Sequence, residues 1–167
     1  MSAHDRLLLD TNILVDYLAM RQPFFADARK LMILGVLGEV ELWISASQIN
    51  DVFYILSQGG KGSLGLSSQE SLRRCRSFLH ICSLTEQDID KALSFGQNDL
   101  EDASVQVCAE KLAADYIITR DAGFPISRIQ AISPAAYFAN LEQPLNTIYA
   151  EIDTTPATDS PATPAAE

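Results

Sequence analysis

The run Arg6-Leu7-Leu8-Leu9-Asp10-Thr11-Asn12 constrains the fold of this 167-residue chain more than any other stretch. Three leucines lead straight into an acid and two small polar residues, and a new apolar pattern follows. A short apolar run that ends in a polar turn reads as a buried strand of a parallel sheet. Asp10 then stands at the strand's carboxyl end, where open α/β sheets bind ligands. A carboxylate there is costly to desolvate unless a partner offsets its charge. The expected partner is a divalent metal ion, shared with acids further along the chain.

The rest of the chain alternates strand and helix signals. A first strand is expected over 7–10 and helices over 12–18 and 24–37. Pro23 suits the first turn of the second helix, and Gly38 suits its end. A second strand over 40–44 runs into Ser45 and Gln48, which have capping-box spacing. The helix they open should reach about Ser57, with Ile49, Val52, Phe53 and Leu56 as its core stripe. Residues 58–67 form a Gly- and Ser-rich loop, and 68–77 a helix carrying Arg73, Arg74 and Arg76. A third strand is expected over 78–84, after which Thr85 caps a helix over 86–95. Asp99 opens a helix over 100–114. A turn and fourth strand over 115–119 end at Arg120-Asp121. A short fifth strand covers 129–132, and Ser133-Pro134 starts a last helix ending near Leu141. This alternation implies an α/β sandwich with a mainly parallel sheet of about five strands. Residues 1–145 read as one domain. Residues 146–167 read as a disordered tail rich in Pro, Thr and Ala.

Bulk properties narrow the class. The hydrophobic fraction, 47%, is ordinary for a globular protein. No apolar run approaches the roughly 20 residues needed to span a bilayer, and the N-terminus has no signal-peptide core. Cys75, Cys82 and Cys108 form no CxxC pair and read as small core residues of a protein from the reducing cytoplasm. The net charge of −10 is not that of a typical nucleic-acid binder. Glu151, Asp153, Asp159 and Glu167 account for part of it, yet the remainder stays acidic. Arg73, Arg74 and Arg76 are the best candidates for contact with a phosphate backbone, or else an ordinary solvated helix face.

Asp10, Asp51, Asp99, Asp102 and Asp121 each fall just after a strand or near the start of a helix. In a parallel sheet those points share one edge. Such a cluster repels itself without cations, and hard divalent ions such as Mg²⁺ or Mn²⁺ prefer oxygen ligands. Ions held there would serve an in-line attack on a phosphodiester. Each acid also has a plainer reading. Asp99 and Asp102 have the spacing of a helix N-cap and its N3 partner. Asp51 lies opposite the expected core stripe, as a solvated residue would. Asp121 can begin a turn. Thr11, Asn12 and Thr119 beside these acids either orient carboxylates and water or cap helices. His4 belongs to a frayed terminus and His80 to a strand. No Ser/His/Asp arrangement, P-loop or GxGxxG is present.

The segments carrying these acids resemble the motifs of the PIN-domain family. Residues 7–18 (LLLDTNILVDYL) resemble its opening motif, and 44–56 (ISASQINDVFYIL) its second. Asp99-Leu-Glu-Asp-Ala103 with Ala109 and then 114–121 (ADYIITRD) resemble the third and fourth. The resemblance covers about residues 6–141 in the right order. It implies a Rossmann-like α/β/α sandwich and a metal-dependent ribonuclease site like that of VapC toxins. Carried over by residue, Asp10, Asp102 and Asp121 become ligands for Mg²⁺ or Mn²⁺. Asp51 takes a position often held by Glu, and Asp99 is the extra acid of one subgroup. The implied partners are an RNA substrate, an antitoxin protein and a second copy in a homodimer. The alternative is a non-catalytic PIN module that binds RNA or a protein. A haloacid-dehalogenase-type phosphatase fits less well, because Asn12 stands where its second Asp would be.

Overall fold

The computed structural model describes residues 4–58 and 65–141. The expected C-terminal tail and most of the Gly/Ser loop lie outside the described residues. The elements run β1 (Asp5–Leu9), α1 (Thr11–Leu18), α2 (Phe25–Val36), β2 (Val40–Ser45), α3 (Ala46–Leu56) and α4 (Gly65–Cys75). They continue with β3 (Leu79–Cys82), α5 (Glu86–Ser94), α6 (Leu100–Leu112), β4 (Tyr116–Ile118), β5 (Ala131–Ile132) and α7 (Pro134–Asn140). The five strands form one sheet in the order β3-β2-β1-β4-β5, and every pairing is parallel.

β1 is central because it can be buried on both faces. Leu7, Leu8 and Leu9 have no exposed surface. Alternation sends them to opposite sides. Leu7 and Leu9 join α1, α2, β2 and Tyr137 in one core. Leu8 joins Cys82, Val105, Cys108, Ala109 and Ile117 in a second core under α6. A small third cluster, Ala92, Ala103 and Val107, joins α5 to α6. The result is helix–sheet–helix layering, and all three cysteines are buried and free.

Local signals set the helix ends. Ser45 and Gln48 form the expected capping box, as do Thr85 and Asp88. Gly38, at φ +70°, ends α2 with bonds from its own N–H to Gly35 and from the Glu39 N–H to Leu34. That is a Schellman closure, which favours glycine.

Several expectations shift. β1 ends at Leu9, and Asp10 becomes the residue that opens α1. Pro23 precedes α2, whose capping position is Phe24. α4 starts at Gly65, three residues early, and β3 is shorter than its apolar run. His4 is not loose: its Nδ1 lies 3.1 Å from the Glu39 carbonyl. The buried face of α3 is also rotated. Gln48 and Val52 are its buried residues, whereas Ile49, Phe53 and Leu56 are only partly covered. A polar residue claims the interior because it is fully bonded there. Gln48 Nε2 donates to the Leu9 carbonyl and the Thr11 hydroxyl, and its Oε1 accepts the Ser45 N–H. A wheel built on apolar residues alone misplaces that face.

Candidate active site

The strand order reverses between β1 and β4, since β2 lies on one side of β1 and β4 on the other. This topological switch point is where a parallel sheet opens a crevice at the strands' carboxyl ends. Asp10 follows β1 there and Thr119-Arg120-Asp121 follow β4. The Asp10 N–H donates to the Ile118 carbonyl at 2.9 Å and locks the two strand ends together.

Asp10 is 7% exposed. Its Oδ2 accepts the Thr119 hydroxyl at 2.6 Å and the Asn12 amide at 2.5 Å. Asn12 Nδ2 also lies 3.2 Å from Thr119 Oγ1, and that oxygen accepts the Asp121 N–H at 3.0 Å. Burial raises the Asp10 pKa above the ordinary Asp value; the Thr119 bond opposes the rise and the Asp121 charge adds to it. Thr119 and Asn12 thus hold one oxygen of Asp10 in place.

The N-terminus of α6 brings the next acids. Asp99 caps the helix, its Oδ1 accepting the N–H groups of Glu101 at 2.8 Å and Asp102 at 3.3 Å. The cap is one-sided: among the described residues no bond returns from the Asp102 carboxylate to Asp99. Asp102 instead meets accumulated negative charge. Burial first, then Asp99, Asp10, Asp121 and Glu101, push its carboxyl up to about 6. Four other carboxylates thus bear electrostatically on Asp102.

Glu101 is a site acid that sequence reasoning passed over. It accepts the Thr11 hydroxyl at 2.7 Å. Burial raises its pKa; the Thr11 bond opposes this, while Asp51, Asp10 and Asp99 reinforce it. Its position in the first turn of α6 was the available signal, but acids are common there for capping reasons alone. The same repulsion brings Asp51 to the cluster. It sits half-buried one turn after Gln48, close enough for its charge to bear on Glu101.

Asp121 is exposed, and its Oδ1 accepts the Gly123 N–H at 2.8 Å, so the turn reading of that residue is also realised. The Thr11 hydroxyl bridges Gln48 and Glu101 rather than any of the expected aspartates. The arginines are not brought to the acids. Arg73 and Arg74 pair with Glu70, and Arg76 donates to the Leu79 carbonyl. Arg73 and Arg76 line a cleft of about 450 Å³ with Asn50 and Phe53, on the face of α3 away from Asp51.

The donor set is therefore all oxygen and strongly anionic, which suits a hard divalent ion and no soft one. Among the described residues no three His, Cys, Asp or Glu side chains converge on a single ion position. The fit lies in the chemistry of the donors and in the repulsion around Asp102 that a cation would relieve.

Residues 6–123 match a family model described as the PIN domain. The chain belongs to the PIN-domain family. No curated protein matches it. Among solved structures, a toxin–antitoxin complex from Klebsiella pneumoniae superposes with a TM-score of 0.57 at 19% identity, covering 77% of this chain and 97% of that one. The sarcin-ricin-loop-cleaving toxin VapC20 of Mycobacterium tuberculosis gives 0.57 at 11%, over 71% and 92%. VapBC2 of Rickettsia felis, bound to a promoter DNA fragment, gives 0.55 at 16%, over 77% and 99%. These likenesses share the PIN fold seen here, with its parallel sheet flanked by helices.

Proposed function

We propose that this PIN domain is a metal-dependent endoribonuclease that hydrolyses RNA phosphodiester bonds, acting as the toxin of a VapBC-type pair in the cytoplasm. One observation supports the reading: at the switch point of a PIN sheet Asp10 is tied through Thr119 to Asp121, and the charges of Asp99, Asp10, Asp121 and Glu101 bear on Asp102. The toxin assignment draws on the neighbours named above as toxins and toxin–antitoxin complexes.

Asp10, Asp102 and Asp121 are the residues that would hold Mg²⁺ or Mn²⁺. A bound divalent ion supplies charge that activates water and neutralises the leaving oxygen. The chain's own groups prepare for this. Thr119 and Asn12 orient Asp10. Asp99 anchors the first turn of α6 and so aims Asp102. Thr11 steers Glu101, and Asp51 adds charge beside it. The two threonine hydroxyls are spent on these hydrogen bonds, so the site supplies ligands rather than a covalent nucleophile. Asp51 is one carbon shorter than Glu, and its contribution is through water.

Arg73 and Arg74, exposed on α4, are the proposed contacts to the RNA backbone, each exchanging Glu70 for phosphate. An antitoxin and a second copy of the chain are the proposed protein partners. Among the described residues no helix is long and apolar enough to cross a membrane.

Expression of the wild-type chain in a bacterial host, beside Asp10→Asn, tests the proposal. Growth arrest with RNA breakdown by the wild type alone is expected. Equal arrest and equal breakdown by a folded Asp10→Asn protein would sink the active-site assignment. The second reading is a non-catalytic module, and one observation favours it: Asp99 and Asp121 already spend carboxylate oxygens on backbone N–H groups. Partner binding without any RNA breakdown would support it.

A further inference from the structure

The geometry points to Arg120 as a positioning residue for the acidic site, anchored by the buried Asp16; this rests on the metal-dependent reading above. Asp16 is an acid inside the apolar run of α1 and is 1% exposed. It follows Asn12 by four residues, so the two share one face of the helix. Both grip Arg120. Asn12 Oδ1 accepts the Arg120 backbone N–H at 3.4 Å. Asp16 accepts Arg120 Nε at 2.7 Å and Nη2 at 3.4 Å. The guanidinium also lies over the Phe24 ring, 4.4 Å from its centre, and Arg21 stands 4.0 Å from Asp16.

Arg120 sits between the two residues that matter most on this loop. Thr119 donates to Asp10, and Asp121 is itself tied to Thr119 through its N–H. The loop after β4 is therefore fixed to α1 through the Thr119 hydroxyl, the Arg120 backbone and the Arg120 side chain. Of these ties, the side chain gives the one made by a planar two-pronged fork, which lysine cannot reproduce. A buried ion pair adds little net stability over a well-packed apolar pair. What this one adds is direction: it sets where Asp121 and the Thr119 hydroxyl stand relative to Asp10. Groups that orient metal ligands in this way typically change metal affinity about 10- to 100-fold when removed.

The test is Mn²⁺ titration by calorimetry on the full chain, with circular dichroism and Tm on the same samples. Arg120→Lys keeps the charge and loses the fork. A second variant, Asp16→Leu with Arg120→Met, removes the pair without leaving a buried charge. Lys111→Met is the control, because it breaks an ion pair elsewhere, the more exposed one with Asp88 on the α5–α6 side. Both Arg120 variants are expected to stay folded and to bind Mn²⁺ about tenfold more weakly, with the control unchanged. Any cleavage defect should be recovered at saturating Mn²⁺, which a general loss of stability would not allow. Wild-type affinity in the folded Arg120 variants, or an equal loss in Lys111→Met, overturns the positioning role alone. A wild type that binds no Mn²⁺ overturns the metal reading, and this inference with it.

Discussion

A carboxylate as buried as Asp10 must be held by donors or by a cation, and its Oδ2 already has two donors in Thr119 and Asn12. Asp102 is the contrasting case, half-buried and set against other acids. Its folded-state pKa of about 6 lies above the roughly 3.9 of an unfolded Asp. The folded chain thus binds that proton more tightly than the unfolded one. Stability of the metal-free protein should fall as pH rises from about 4 to about 6. Asp102→Asn removes this loss. With allowance for solvent screening of a partly exposed group, the variant should be about 1 kcal/mol more stable than wild type at pH 7. The gap should narrow toward pH 4. Urea denaturation at the two pH values checks this, and an Asp102→Asn protein less stable than wild type at pH 7 would count against the charge cluster.

Among the elements, α2 carries a glycine that its helix propensity argues against. Gly35 is there for packing: a Cβ at that position would stand 2.5 Å from Leu42 Cδ1 and 2.9 Å from its Cγ. Leu42 is fully buried in β2, so it could give way only into the packed core. Gly35→Ala would gain about 1 kcal/mol of helix propensity but lose about 1–3 to overpacking. The expected result is a net loss of about 1 kcal/mol, read as a lower Tm; a raised Tm would show that β2 yields. This contact illustrates what the sequence alone makes legible. The order and type of every described element could be read in advance, because the signals are local: Ser45 with Gln48, Thr85 with Asp88, the Asp99 cap and Gly38. Contacts between elements could not. The Gly35–Leu42 approach, the turned face of α3 and the reach of Glu101 to Thr11 each join residues that no local pattern links.

At the scale of the whole molecule, the strand order converts scattered acids into one site. The parallel arrangement puts the ends of β1, β2 and β4 and the start of α6 on one edge, so the neighbourhood of Asp10, Asp51, Asp102 and Asp121 could be anticipated from topology. The Asp16–Arg120 pair could not, since a lone acid within 13–18 gives no hint of a partner a hundred residues away. A chain with net charge −10 would also meet the proposed RNA substrate at an electrostatic disadvantage. On this account cations at the acidic edge are a condition of substrate binding as well as of chemistry. The most direct measurement is cleavage of RNA by purified wild type and Asp10→Asn, each assayed with Mn²⁺ and with EDTA. Cleavage by the wild type in Mn²⁺ and in no other arm is the predicted result. Cleavage that survives EDTA or the Asp10→Asn substitution, or none by a well-folded wild type, would contradict the account.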